Sequence, residues 1–88
     1  MQNRFIVTPF FIDQPQPQIE QLAAADWQLN KPELNSDDRY TRMTALNSGL
    51  ADFTAKAISA GERPVSVNGD CCVTIGMMAG LQRAGIDP

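Results

Sequence analysis

The run Asn68-Gly69-Asp70-Cys71-Cys72 gathers an amide, a glycine, a carboxylate and two thiols within five residues. Gly69 can take a positive φ or let a neighbouring backbone come close. Asp70 can accept backbone N–H bonds at a helix start, or serve in the inner or outer shell of a metal. Cys71 can be a soft metal ligand, or a thiol nucleophile whose pKa a helix N-terminus lowers. A plainer reading fits the same residues, with Asp70 as an N-cap and both cysteines as small buried hydrophobes. A phosphate-cradling loop is disfavoured, because the turn has one glycine and its acid would repel phosphate.

Histidine is absent from all 88 residues. Ser-His-Asp and Cys-His nucleophilic catalysis, and any His-bearing zinc site, cannot be assembled from this chain alone. The two cysteines are adjacent, where a disulfide is strained and rare, so free thiols in a reducing cytoplasm are expected.

The elements around the run must position it. Pro64-Val65-Ser66-Val67 reads as a short strand with proline tolerated at its first residue, and Val73 to Ala84 reads as a helix stopped by Gly85. In an open α/β sheet, ligands gather where a strand's carboxyl end meets the following helix. Gly76, Gly80 and Ala84 lie four apart, so this helix can approach a neighbour closely. Ile75, Met77, Met78 and Leu81 call for cover on more than one side.

Earlier in the chain, Phe5-Ile6-Val7-Thr8 has the continuous apolar, β-branched pattern of a strand buried on both faces, ended by Pro9. The stretch from Asp13 to Gln18 is polar and proline-punctuated, hence a loop. Pro17 then fits the first turn of a short helix over Gln18 to Ala25. Trp27 to Asn35 shows no period, and its Trp27, Leu29 and Leu34 are expected to tuck against the domain. Trp27 fits plain packing better than a role as a stacking platform.

Ser36 is the expected N-cap of a long helix, with Asp37 and Asp38 in its first turn. Tyr40, Met43, Leu46, Leu50, Phe53 and Ala57 form its apolar stripe and Gly61 its C-cap. Strand, long helix and second strand make a right-handed βαβ unit with parallel strands.

The chain is long enough for one small domain, burying roughly 60–65% of its extended surface. A net charge of −3 and a pI near 4.6 argue against nucleic acid or an anionic membrane as partner. No run reaches the ~18 apolar residues of a membrane span. The first residues read as a buried strand rather than a signal peptide.

These elements and motifs resemble the arginase/agmatinase/formiminoglutamase (ureohydrolase) family. Its strand Val-x-Val/Leu, turn Gly-Gly-Asp-His-Ser and helix Ile-Gly-x-x-x-Gly-Leu occur in that order. Here they stand as Val65-Ser66-Val67, Asn68-Gly69-Asp70-Cys71-Cys72 and Ile75-Gly76-Met77-Met78-Ala79-Gly80-Leu81. The likeness is most specific over residues 63–88; over Arg4–Thr8 and the long helix only the order of elements agrees. Asn68 replaces the family's first glycine, and Cys71 its metal-binding histidine. Some bacterial members also carry Gly-Asp-Cys.

The resemblance implies an α/β fold, with residues 1–88 as the N-terminal βαβα portion of a parallel-sheet, three-layer αβα domain. It implies hydrolysis of C–N bonds in guanidino or amidino compounds by two manganese ions that generate a hydroxide. Cys71 would then be a metal ligand, weakened because manganese prefers oxygen and imidazole to thiolate. Asp70 would support it from outside the ligand set. The family's other ligands, Asp-Ala-His-x-Asp and a later Asp-x-Asp, would lie beyond Pro88. The 88 residues alone are therefore expected to bind no manganese and carry no catalytic residue. Their expected partner is the remainder of an arginase-like domain, in a family whose members are commonly homo-oligomers. Two other classes stay open: a small non-catalytic interaction or regulatory module that self-associates, and a thiol-redox element built on Cys71 and Cys72.

Overall fold

The computed structural model describes residues 2–70 and 73–86. Its elements in chain order are β1 (Asn3–Thr8), β2 (Phe10–Phe11), β3 (Gln14–Pro15), α1 (Pro17–Glu20), β4 (Gln28–Leu29), α2 (Arg39–Ser59), β5 (Arg63–Asn68) and α3 (Thr74–Arg83). β1, the apolar run, lies between β4 and β5 in a three-stranded parallel sheet. Ile6 and Val7 point to opposite faces, and both are fully buried. β1 and β5 are joined through the long α2 and pair in register from Asn3↔Arg63 to Thr8↔Asn68, the expected βαβ arrangement.

The proline-punctuated stretch departs from expectation. β2 and β3 form an antiparallel hairpin, Phe10 opposite Pro15 and Phe11 opposite Gln14, in place of a plain loop. Its anchor is the Phe10 ring, sunk in the core. At its tip Ile12 has φ of 57°, a left-handed conformation that costs a β-branched residue roughly 1–2 kcal/mol. The helix expected over Gln18 to Ala25 shrinks to the single turn of α1. It buries no residue, and so short a helix without tertiary cover is marginal. β4 appears where no period was visible, because a two-residue strand has no pattern of its own and Ile6 and Val7 template it. Leu34 packs on the core as expected, whereas Leu29 is exposed.

α2 is capped by Asp38, not Ser36. The Asp38 Oδ2 accepts from the Thr41 N–H at 2.9 Å and from the Thr41 hydroxyl at 2.8 Å. Ser36 instead accepts the Asp38 N–H through its hydroxyl at 3.0 Å. Capping by Thr41 holds the Asp38 carboxyl below its usual pKa. The stabilisation from Asp38 is therefore present above the ordinary aspartate pKa and is lost as pH falls through the lowered native value. Asp38→Ala should melt below the wild type at about pH 6, and that gap should close towards about pH 2. Thermal melts of the two proteins across that range check this.

Leu46, Leu50, Ala51, Thr54 and Ala57 form the buried face of α2. Tyr40 falls on the expected stripe but is 79% exposed, because the buried part of α2 begins only at Leu46. At the far end Ala60 is the C-cap and Gly61, at φ 75°, is the next residue, one position later than expected. α3 packs along α2 through its glycines, Gly76 against the backbone of Asn47 and Gly80 against Ala51 and Thr54. The core joins Ile6, Phe10, Leu46, Leu50 and Val73, with Leu34, Phe53 and Met77 packed around them. Ile75 and Met78, on α3, are exposed. No helix among the described residues is long and apolar enough to cross a membrane.

β5 closes one side of the sheet, and its outer edge follows a simple parity. The Arg63 N–H reaches back to the Gln2 carbonyl at 2.8 Å. Alternate residues of a parallel strand address the same neighbour, so Arg63, Val65 and Val67 face β1 while Pro64, Ser66 and Asn68 face outward. Proline thus occupies an outward position, where its missing N–H breaks no bond to β1.

Candidate functional site

The register of the sheet brings the polar ends of its strands to one side. Thr8 ends β1 opposite Asn68, which ends β5, and Asn30 follows directly after β4. The turn after Asn68 is drawn together by that residue's own side chain. Its Oδ1 accepts the Ser66 hydroxyl at 2.8 Å, and its Nδ2 donates to the Asp70 carbonyl. An asparagine where the resemblance has glycine is accommodated by local hydrogen bonding.

Gly69 is required by space. Its N–H donates to the Phe10 carbonyl at 3.2 Å, and a Cβ on it would stand 2.6 Å from that oxygen and 2.9 Å from Ile19 Cδ1. Of its two available roles it fills close approach, since the positive-φ glycines among the described residues are Gly61 and Gly85.

Asp70 is not the N-cap of the following helix. That position belongs to Val73, which offers no side-chain bond. Help comes from α2, where Asn47 Oδ1 accepts the Gly76 N–H at 2.9 Å and its Nδ2 donates to the Met43 carbonyl at 3.1 Å. Both Asp70 carboxylate oxygens are buried, and neither has a hydrogen-bond partner among the described residues. A buried carboxylate without partners is costly, and in native proteins such a group calls for an explanation. Cys71 and Cys72 lie outside the described residues, and with them the ligand and thiol-redox readings.

The sequence did not single out Asn30. It is 1% exposed, and its Nδ2 donates to Thr8 Oγ1 at 3.0 Å and to the Leu46 carbonyl at 2.9 Å. Its backbone N–H reaches the Val7 carbonyl at 2.7 Å. One amide therefore ties β4, β1 and α2 together at the strand ends. The signal for it was Gly49, a helix-interior glycine that costs about 1 kcal/mol unless something needs the space. A Cβ at Gly49 would collide with Asn30 Oδ1.

Asp13, at the hairpin tip, is also buried, at 6% exposure. Its Oδ2 lies 3.3 Å from Arg42 Nε and its Oδ1 3.9 Å from Arg39. At the opposite end of the sheet Arg4 and Glu62 make a two-pronged pair, at 3.1 and 2.7 Å. Each holds the other charged, Glu62 below its usual pKa and Arg4 above its own. Trp27 spends a ring face on Phe5 at 4.6 Å between centroids, in line with packing.

Two manganese ions would need a cluster of oxygen and nitrogen donors. Among the described residues no three of His, Cys, Asp and Glu stand close enough to hold a metal ion. Asp70 alone does not make a binuclear centre, so the described residues do not fit that group.

A parallel sheet with a glycine-tight turn and a carboxylate without a partner among the described residues, at the carboxyl end of an outer strand, defines the class: an α/β fold whose candidate site sits at its strand ends. No family model matches the chain, and no curated protein does. Among solved structures, arginase from Bacillus subtilis is similar, with a TM-score of 0.63 and 21% identity over 94% of this chain. The chain spans 34% of the length of that arginase. At this identity the likeness is one of fold, and the chain has the architecture of a portion of the arginase fold.

Proposed function

We propose that the chain is the amino-terminal part of a metal-dependent hydrolase that cleaves C–N bonds of guanidino or amidino compounds, and that it is inactive alone. The fold match over 94% of the chain to a third of an arginase carries this reading. The turn adds to it, because Asp70, just past the end of β5 and beside the position of Cys71, has no side-chain partner among the described residues. In this reading Cys71 takes the place of the family's histidine ligand and Asp70 supports it, while manganese and the other ligands come with the rest of the domain. The test is the coding sequence past Pro88. An apolar strand followed by Asp-Ala-His-x-Asp within about 15 codons is expected, and its absence in all three frames would overturn the proposal. Urea release by the purified 88-residue chain above that of Cys71→Ala would overturn the claim of inactivity.

The second reading, a self-associating non-catalytic module, is favoured by the exposed Ile75 and Met78 on α3 and by the outer edge of β5. A discrete dimer in light scattering supports it, whereas polydisperse aggregate counts for the first reading.

A further inference from the structure

The β2–β3 hairpin pairs with neither neighbour of the main sheet. Its base is held by the buried Phe10 ring and by the Gly69 N–H on the Phe10 carbonyl at 3.2 Å, while the Gln16 N–H on the Pro9 carbonyl at 2.8 Å closes the hairpin itself. Its tip carries a conformation unfavourable for isoleucine, at φ 57°. The tip is nevertheless fastened down. Arg42 Nη2 donates to the Asp13 carbonyl at 2.9 Å, and Arg42 Nε faces the Asp13 carboxylate. The other arm of the same guanidinium donates to the Leu34 and Ser36 carbonyls, at 3.1 and 3.2 Å. One side chain on α2 thus holds the hairpin tip and the loop before α2 together, directly beside the left-handed Ile12.

From this we infer that the hairpin is a spring-loaded strap over the turn, with Arg42–Asp13 as its catch and Ile12 as its spring. When the catch lets go, Ile12 relaxes and the arm pivots at Phe10, whose ring stays in the core. The Phe10 carbonyl then turns away from Gly69. That uncovers the Gly69 N–H one residue from the Asp70 carboxylate, a donor and an acceptor side by side at the strand ends.

The test is amide hydrogen exchange of the 88-residue chain by NMR, with the Asn30 N–H, bonded to Val7, as internal reference. Asp13→Asn, which removes the ion pair while the Asp13 carbonyl still accepts from Arg42 Nη2, is expected to raise exchange at Gly69 about threefold or more, with Asn30 changing less than about twofold. Ile12→Asn, which keeps the catch but accepts the left-handed conformation, is expected to slow Gly69 about threefold or more against the same reference. Equal acceleration of Gly69 and Asn30 in Asp13→Asn would show only general loosening and overturn the strap. So would unchanged Gly69 exchange in Ile12→Asn, a variant that decides the matter even if Asp13→Asn fails to fold.

Discussion

Gly80→Val is expected to remove most of the protein's stability. A Cβ at this position would stand 2.6 Å from the Ala51 carbonyl oxygen and 2.6 Å from Thr54 Cβ. Both belong to α2, and a helix carbonyl cannot rotate out of the way. Relief therefore requires α3 to move off α2, which pulls Met77 and Val73 away from the core they pack in. Overpacking of this kind costs typically 1–3 kcal/mol, and separating the helices adds cavity terms. A loss of about 3–5 kcal/mol follows, against a total on the order of 5–10 kcal/mol for a domain this size. Urea unfolding followed by circular dichroism checks it. Gly80→Ala should lose less, because improved helix propensity returns roughly 1 kcal/mol. A wild-type midpoint for Gly80→Val would mean that the two helices do not approach at Gly80.

The second large effect is expected at Asn30. Asn30→Leu keeps the side chain's shape but removes both donors, leaving the buried Thr8 hydroxyl without its partner and the Leu46 carbonyl without its second bond. Breaking one side of a buried hydrogen-bonded group costs more than the bond's net worth, so about 2–4 kcal/mol should be lost. Thr8→Val, which removes the stranded hydroxyl, should recover part of that in the double variant, with a coupling near 1 kcal/mol. Chemical denaturation of the four proteins in the cycle measures it, and strict additivity would show that the Asn30–Thr8 bond contributes nothing.

Periodicity and punctuation make the parallel βαβ core legible in the sequence. Val65 and Val67, Ile6 and Val7, and the glycine pair of α3 all announce themselves through their own spacing. Residues whose role is set by a distant partner did not. Asn30 carries no local pattern, and its meaning appears only once Gly49 makes room for it. Asp38 displaced Ser36 as cap because Thr41 offers both a backbone and a hydroxyl donor, a choice that residue type alone leaves open. At the site, Asn68, Gly69 and Asp70 were identified as the residues that matter, but not what each does. Close approach to Phe10 decides Gly69, and Asn47, twenty-nine residues before Gly76, takes over the capping that Asp70 was a candidate for. Long-range hydrogen bonds of this kind leave no trace in local sequence.

The parity of β5 sets a polarity on how this sheet can grow. With Pro64 outward, the edge offers two backbone donors, Ser66 and Asn68, and both lie in the half of the strand nearest the turn. An added parallel strand finds donors only there, while nearer Arg63 it finds only the Pro64 carbonyl as acceptor, so the donors favour alignment at the carboxyl end. Whatever residues follow the last paired position of such a strand are thereby delivered beside Asp70. The proline thus biases an added strand towards the alignment that furnishes the strand-end side with new side chains.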